Sequence, residues 1–196
     1  YSCVAALILQ IIDDTMGSNA WIRGSVKGKI LIYCEKIFGM IDMLSLCLEA
    51  NGYTQYGKHY GGNESVSFSF ICGISNVCSA TQKRERLDAF SSGDIQILIA
   101  SEVLKEGITL SDVTDIIFPN GPWTKPTETQ VEGRAIRPNA IRNHKYGFVR
   151  TYVCSIKNTL EHDIMQYADL KMSISDKIIS SFLPYSISFK KEFKSL

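Results

Sequence analysis

The sequence lacks a long apolar run, a motif of paired cysteines and a strong net charge. Its apolar stretch from Val4 to Ile12 is too short to span a bilayer, and no charged segment and cleavage site mark it as a signal peptide. We therefore interpret it as a helix that faces the core, and we expect no membrane partner. The formal net charge is +1 over 196 residues. Any acidic polymer must then be bound by local clusters of cations.

The six cysteines are scattered, with no C-x-x-C pair and no histidine at a zinc-binding spacing. Most of them lie inside apolar segments, as buried free thiols do. This distribution predicts structural cysteines in a reducing compartment, and it argues against a disulfide framework.

Apolar runs of strand length alternate with amphipathic segments along most of the chain. This alternation predicts a three-layer α/β fold with a mostly parallel sheet. The continuous apolar runs at 29–34 and 94–100 are typical of strands buried on both faces. We predict further strands at 53–56, 67–72, 114–118 and 146–154, and helices at 4–14, 37–50, 81–90 and about 159–171, with another helix in the tail 172–196.

The pattern Q-x-x-G-R-x-x-R occupies residues 130–137 and is predicted to lie at the start of a helix that Pro138 ends. Gln130, Arg134 and Arg137 are three or four residues apart, so their side chains emerge from nearby faces of successive turns. Gly133 removes a side chain beside the first arginine. A guanidinium plane suits phosphate oxygens well. A solvated basic helix is the alternative.

A second group of polar residues follows the strand at 94–100. Ser101 offers a hydroxyl group at the strand's carboxyl end, and Gly107 lets the backbone approach a ligand closely. Ligands of open parallel sheets bind where strands end, and the loops after 94–100 and 114–118 are predicted to open on the same edge. The alternative for Ser101 is a turn hydroxyl that satisfies local backbone groups.

Four segments, in this order, resemble the second RecA-like domain of superfamily 2 helicases and translocases. They correspond to motif IV, the helix after the third strand, motif V and motif VI, and they read KILIYC at 29–34, QKRERLDAFSSG at 82–93, ILIASEVLKEGITL at 97–110 and QVEGRAIR at 130–137. The wording KEGITL and GRAIR most resembles the nucleic-acid-dependent ATPases of large cytoplasmic DNA viruses. Those are of the nucleoside triphosphate phosphohydrolase I and early transcription factor type, related to Snf2 translocases.

The resemblance implies a RecA-like domain at 29–156, a leading helix and linker at 1–28, and a C-terminal helical extension at 157–196. It also implies that Arg134 and Arg137 reach nucleotide phosphates held by another lobe, one of them as an arginine finger, with Gln130 near the γ-phosphate and the attacking water. Further implied contacts are those of Glu106, Gly107 and Gly133 with the nucleotide, and of Ser101 and Lys105 with nucleic acid.

Other cations and one aromatic residue near these motifs have two interpretations each. Lys83, Arg84 and Arg86 on the predicted helix 81–90 fit either a solvated face or a track for nucleic acid. Trp123 is expected to pack beneath the arginine helix rather than to stack on a base.

The chain lacks the phosphate-binding half of such a motor. The segment from Gly24 to Gly28 has three residues between its glycines where a P-loop needs four, and no D-E-x-H or D-E-A-D string occurs. We therefore expect ATP and Mg²⁺ to be bound mainly by an N-terminal RecA-like lobe that is not in this chain, and the chain alone to be inactive.

The expected partners are nucleic acid, either DNA or RNA, together with that N-terminal lobe and the transcription machinery. The expected location is the cytoplasm, including a viral factory or virion. The alternative function is a catalytically inactive lobe that serves as a scaffold in a viral transcription or packaging assembly. A freestanding Rossmann-type enzyme is excluded because no G-x-G-x-x-G follows any predicted strand.

Overall fold

The computed structural model describes residues 3–16, 28–35, 39–58, 66–74, 77–105, 108–120, 124–136 and 149–182. Five helices and six strands lie in these ranges. In chain order they are α1 (Cys3–Met16), β1 (Lys29–Tyr33), α2 (Met40–Ala50), β2 (Thr54–Gln55), β3 (Ser67–Ile71), α3 (Ala80–Ser92), β4 (Ile97–Ala100), β5 (Val113–Phe118), α4 (Lys125–Ala135), β6 (Arg150–Val153) and α5 (Leu160–Phe182). A 3-10 turn, Glu102–Lys105, follows β4.

The strands form a single sheet in the order β2-β3-β4-β1-β5-β6, and all five pairings are parallel. One face packs against α1 and α2 through residues such as Ile12 and Leu44. The other face packs against α3 and α4 through Phe90 and Val131. The predicted three-layer fold with a parallel sheet is therefore confirmed, and α1 faces the core as expected.

The central strands form because most of their residues are large and apolar. All residues of β1, β4 and β5 are buried. Helix α3 shows how local sequence sets an element's limits. Ser79 and Gln82 form a capping box, with distances of 3.3 Å from Gln82 N to Ser79 Oγ and 3.0 Å from Ser79 N to Gln82 Oε1. Gly93 ends the helix with a φ of 96°, which favours glycine.

A buried ion pair joins β5 to β6 near the amino ends of the strands. Asp115 is fully buried, and Arg150 donates to its two carboxylate oxygens from Nε at 2.8 Å and from Nη2 at 3.1 Å. The Thr114 hydroxyl donates to the same carboxylate at 2.7 Å. Gly28 packs so closely on Thr114 that a Cβ there would lie 2.0 Å from Thr114 Oγ1. This part of the molecule accepts neither a side chain at Gly28 nor an unpaired carboxylate at Asp115.

Lys29 ties β1 to the end of α3 at the same edge of the sheet. Its ammonium group donates to the Ser91 carbonyl at 2.9 Å and lies 5.3 Å from the centre of the Phe90 ring. Cations bind favourably to the unpaired carbonyls of a helix's last turn. Burial lowers the pKa of Lys29, and the nearby Asp112 carboxylate opposes that shift. Both polar contacts at the amino edge thus stabilise the fold.

The C-terminal region differs from the prediction of two helices. Residues 160–182 form one continuous helix, so the break expected after 171 is absent. Several large apolar residues on α5 are exposed, including Leu160, Tyr167 and Leu170. In the ranges that the structure describes, no helix combines the length and the apolar character needed to cross a bilayer.

Candidate nucleotide and nucleic-acid interface

Ser101 lies at the carboxyl end of β4, as the sequence predicts. Its amide donates to the Ile71 carbonyl at 3.3 Å, and its carbonyl accepts from Leu104 at 3.1 Å, which begins the 3-10 turn. The residue is fully buried, and within the part of the chain that the structure describes its hydroxyl has no hydrogen-bond partner. The interpretation as a turn hydroxyl is therefore wrong. A contact between Ser101 and nucleic acid stays a prediction, and it requires the covering residues to move.

Other residues at the carboxyl edge are also buried and uncharged. Strand register places Cys72, Cys34 and Cys154 one step beyond the paired residues of β3, β1 and β6. Burial raises the pKa of Cys34 to about 12 and also raises that of Cys154. These thiols stay protonated and are poor nucleophiles. Five of the six cysteines are buried and none is paired, so the prediction of structural cysteines is confirmed for those five.

Tyr33 adds a second buried hydroxyl that has no partner among the described residues, and no pattern in the sequence indicated it. The residue ends β1, and its ring lies 5.6 Å from that of Phe118 in an edge contact. Its pKa is raised, first by burial and then by the charges of Glu35 and Glu102. The hydroxyl therefore stays neutral, and we assign it no function.

The arginine motif lies on the second half of α4, so its predicted position at a helix start is wrong. The helix begins at Lys125, after Thr124 at the cap position and with Pro126 in its first turn. It ends at Ala135, before Arg137, which lies outside the described residues. Gln130 and Gly133 are exposed, and Arg134 is half-buried. Gln130 and Gly133 therefore face away from the sheet, whereas Val131 and Ala135 pack on it.

Helix α4 carries the motif away from the carboxyl edge. Thr151, the second residue of β6, donates to Glu132 Oε1 at 2.9 Å. The Arg134 carbonyl accepts from the amide of Leu110, three residues before β5, at 3.0 Å. The last turn of α4 therefore lies beside the amino ends of β5 and β6. The two loops start on one edge as predicted, but Arg134 does not lie at that edge with Ser101.

One stretch of chain connects the two predicted sites. It begins at Ser101, continues through the 3-10 turn, which contacts α4, and ends at Leu110 against the Arg134 carbonyl. Glu106 and Gly107 lie in this stretch but outside the described residues, and the Lys105 side chain is not described either. Trp123, just before α4 in the sequence, also lies outside the described residues. The described residues therefore join this stretch to α4 at two places, the 3-10 turn and Leu110.

Arg86 has a structural role. Its Nη1 donates to the Phe70 carbonyl at 2.7 Å, and its guanidinium group lies 4.6 Å from the centre of the Phe70 ring. The interpretation of Arg86 as part of a solvated face or a nucleic-acid track is therefore wrong. The signal was present in the sequence, since Arg86 stands three and four residues before the buried Ala89 and Phe90. Lys83 and Arg84 keep both interpretations.

Comparison with known proteins identifies the family. The model of the helicase conserved C-terminal domain matches residues 9–139. The chain therefore belongs to the helicase conserved C-terminal domain family. No curated protein sequence matches it. Among solved structures, it is similar to the C-terminal part of the Fun30 ATPase domain, with a TM-score of 0.62 and 17% identity. That match covers 91% of this chain and 54% of the other, so this chain spans about half of its length.

The described residues contain no cluster of side chains that could bind a metal ion. Among the residues with described positions, no three His, Cys, Asp or Glu side chains come together in a way that could hold a metal ion. The described residues therefore do not fit a magnesium site of their own.

Proposed function

We propose that the chain is the C-terminal motor lobe of a superfamily 2 nucleic-acid-dependent ATPase. In this proposal it acts with a P-loop lobe that binds ATP and Mg²⁺, and hydrolysis takes place between the two lobes. Arg134 and Arg137 stabilise charge on the phosphates during phosphoryl transfer, and Gln130 orients the attacking water. Glu106, Gly107 and Gly133 approach the nucleotide, and Ser101 and Lys105 contact nucleic acid.

The hydrogen bond from the Leu110 amide to the Arg134 carbonyl carries this proposal. It joins the stretch that starts at the predicted nucleic-acid contact to the helix that bears the predicted phosphate ligands. A displacement of Ser101 by nucleic acid can therefore reach α4 through ten residues of chain. Membership in the helicase C-terminal family and the exposure of Gln130 and Gly133 support the same conclusion.

The finer assignment is part of the proposal. The wording of motifs V and VI supports a relationship to the viral ATPases of the nucleoside triphosphate phosphohydrolase I type, with roles in transcription and a location in the viral factory or virion. The fold similarity to the C-terminal part of the Fun30 ATPase domain agrees with a lobe of an ATPase. We also propose the domain limits 29–156, with flanking segments 1–28 and 157–196.

ATP hydrolysis by the two-lobe protein tests this function against the scaffold alternative. We expect turnover that rises when nucleic acid is added, and no turnover by the 196-residue chain alone. Separate reactions with single-stranded DNA, duplex DNA and RNA identify the stimulating polymer. A folded two-lobe protein without turnover in all three reactions would instead establish the scaffold.

Alanine at Gly133 is expected to separate stability from activity. A Cβ added at Gly133 meets no atom within 4 Å among the described residues, apart from its chain neighbours and the backbone of its own helix. Alanine in a helix is more stable than glycine by about 0.5–1 kcal/mol. The urea midpoint of the chain should therefore rise. If the nucleotide approaches Gly133, the added methyl group costs about 1–3 kcal/mol there, and turnover by the two-lobe protein falls about tenfold or more. Full turnover in a stabilised variant would show that the nucleotide lies elsewhere.

A further inference from the structure

Helix α4 has a small apolar contact with the sheet. Its buried residues are Thr127, Val131 and Ala135, of which only valine is a sizeable apolar side chain. With so little apolar surface against the sheet, polar contacts contribute to fixing the rotation of α4, together with its contacts to the 3-10 turn and to α5. The rotation of α4 matters because it sets the direction in which Gln130 and Arg134 point.

Two polar contacts flank the buried stripe of α4 near its end. On one side, the Arg134 carbonyl accepts from the Leu110 amide at 3.0 Å. On the other side, Glu132 Oε1 accepts from the Thr151 hydroxyl at 2.9 Å. The first contact is between backbone atoms and holds the helix at one edge only. The second is the side-chain contact that opposes rotation about that edge.

We propose that Glu132 and Thr151 are positioning residues that fix the rotation of α4 and so aim Gln130 and Arg134 at the nucleotide. This inference rests on the proposed function. A side-chain tip about 6 Å from a helix axis moves about 1 Å when the helix turns by about 10°. Misplacement of that size costs on the order of a hundredfold in rate when it affects reacting groups. Neither residue needs to touch the nucleotide to have this effect.

The surroundings of the pair agree with a positioning role. Both residues are half-buried, so the hydrogen bond is partly shielded from water. Thr151 belongs to β6, which pairs in register with β5 from Asp115↔Arg150 to Phe118↔Val153. The hydroxyl is therefore fixed to the sheet, and the sheet is the rigid reference for the helix.

Thr151→Val and Glu132→Ala in the two-lobe protein test the proposal. Valine keeps the shape of threonine without the donor, and alanine favours the helix, so neither variant should unfold the lobe. We expect each to lower kcat for nucleic-acid-stimulated ATP hydrolysis about tenfold, with KM for ATP within about twofold of wild type. Glu132→Gln keeps the acceptor and should retain most of kcat. The Glu132→Ala, Thr151→Val double variant should be no slower than either single variant.

Ser67→Ala is the matched control, because it also removes one hydroxyl donor. Ser67 lies on β3, which does not pair with β6, and its hydroxyl donates to the Asp94 carbonyl at 2.8 Å. We expect the kcat of Ser67→Ala to equal that of wild type. An equal loss of kcat in Ser67→Ala would overturn the proposal, as would normal kcat in Thr151→Val and Glu132→Ala while Arg137→Ala is inactive. If Arg137→Ala keeps wild-type turnover, the proposed function itself fails, and the positioning role fails with it.

Discussion

Alanine at Arg137 is expected to lower nucleic-acid-stimulated ATP turnover by on the order of a thousandfold. The physical reason is that a guanidinium group offers fixed donors and a permanent charge to the phosphate oxygens as negative charge shifts during transfer. The loss corresponds to about 4 kcal/mol of transition-state stabilisation. Single-turnover and steady-state hydrolysis by the two-lobe protein measure it, and the affinity for nucleic acid should change little.

Arg134→Ala and Arg137→Lys sharpen this prediction. Arg134 is half-buried on α4, and its carbonyl accepts from the Leu110 amide. We expect Arg134→Ala to reduce turnover as well. Lysine at 137 keeps the charge but loses the planar fork, and it should remain strongly impaired.

Lys58→Ala is the control for loss of a cation, because Lys58 is exposed and its ammonium group pairs with Glu49 of α2 at 2.7 Å. It should leave turnover unchanged. Normal turnover in both folded arginine variants would contradict the arginine-finger assignment.

The strands and the fold class could be predicted because their signals are local. The run at 30–33 is apolar at every position, and such runs are typical of a sheet covered on both faces. The start of α4 was also readable, since Thr124 and Pro126 precede the motif by several residues. The prediction placed the helix start at Gln130 instead, because it followed the residues of the Q-x-x-G-R-x-x-R motif.

The burial of Ser101 and the direction of α4 could not be predicted in the same way. Both depend on contacts between residues far apart in sequence, such as Leu110 with Arg134 and Glu132 with Thr151. A pattern places a residue on an element, but only packing decides which edge of the sheet that element reaches. The separation of the two predicted sites therefore emerged only from the structure.

Alanine at Arg150 is expected to destabilise the chain by about 3 kcal/mol. Asp115 is fully buried, so loss of Arg150 leaves a buried carboxylate that keeps neutral donors such as the Thr114 hydroxyl but has lost its counter-charge. Removal of one partner from a buried ion pair typically costs about 3–5 kcal/mol. We expect the lower end because the Arg150 side chain is 42% exposed and water can reach the site. The urea midpoint of the chain, measured at constant m-value, gives the free energy.

The sign of the change in unfolding free energy on adding a second substitution identifies why Arg150→Ala is destabilising. Asp115→Asn removes the buried charge but keeps an oxygen that accepts from Thr114, so adding it to Arg150→Ala should restore about 1–2 kcal/mol. Lys58→Ala breaks the exposed pair with Glu49 and should cost less than about 1 kcal/mol. If the double variant is less stable than Arg150→Ala, the loss comes from packing of the arginine stem and not from an unpaired carboxylate. If it is more stable, charge burial at the amino edge is what requires Arg150.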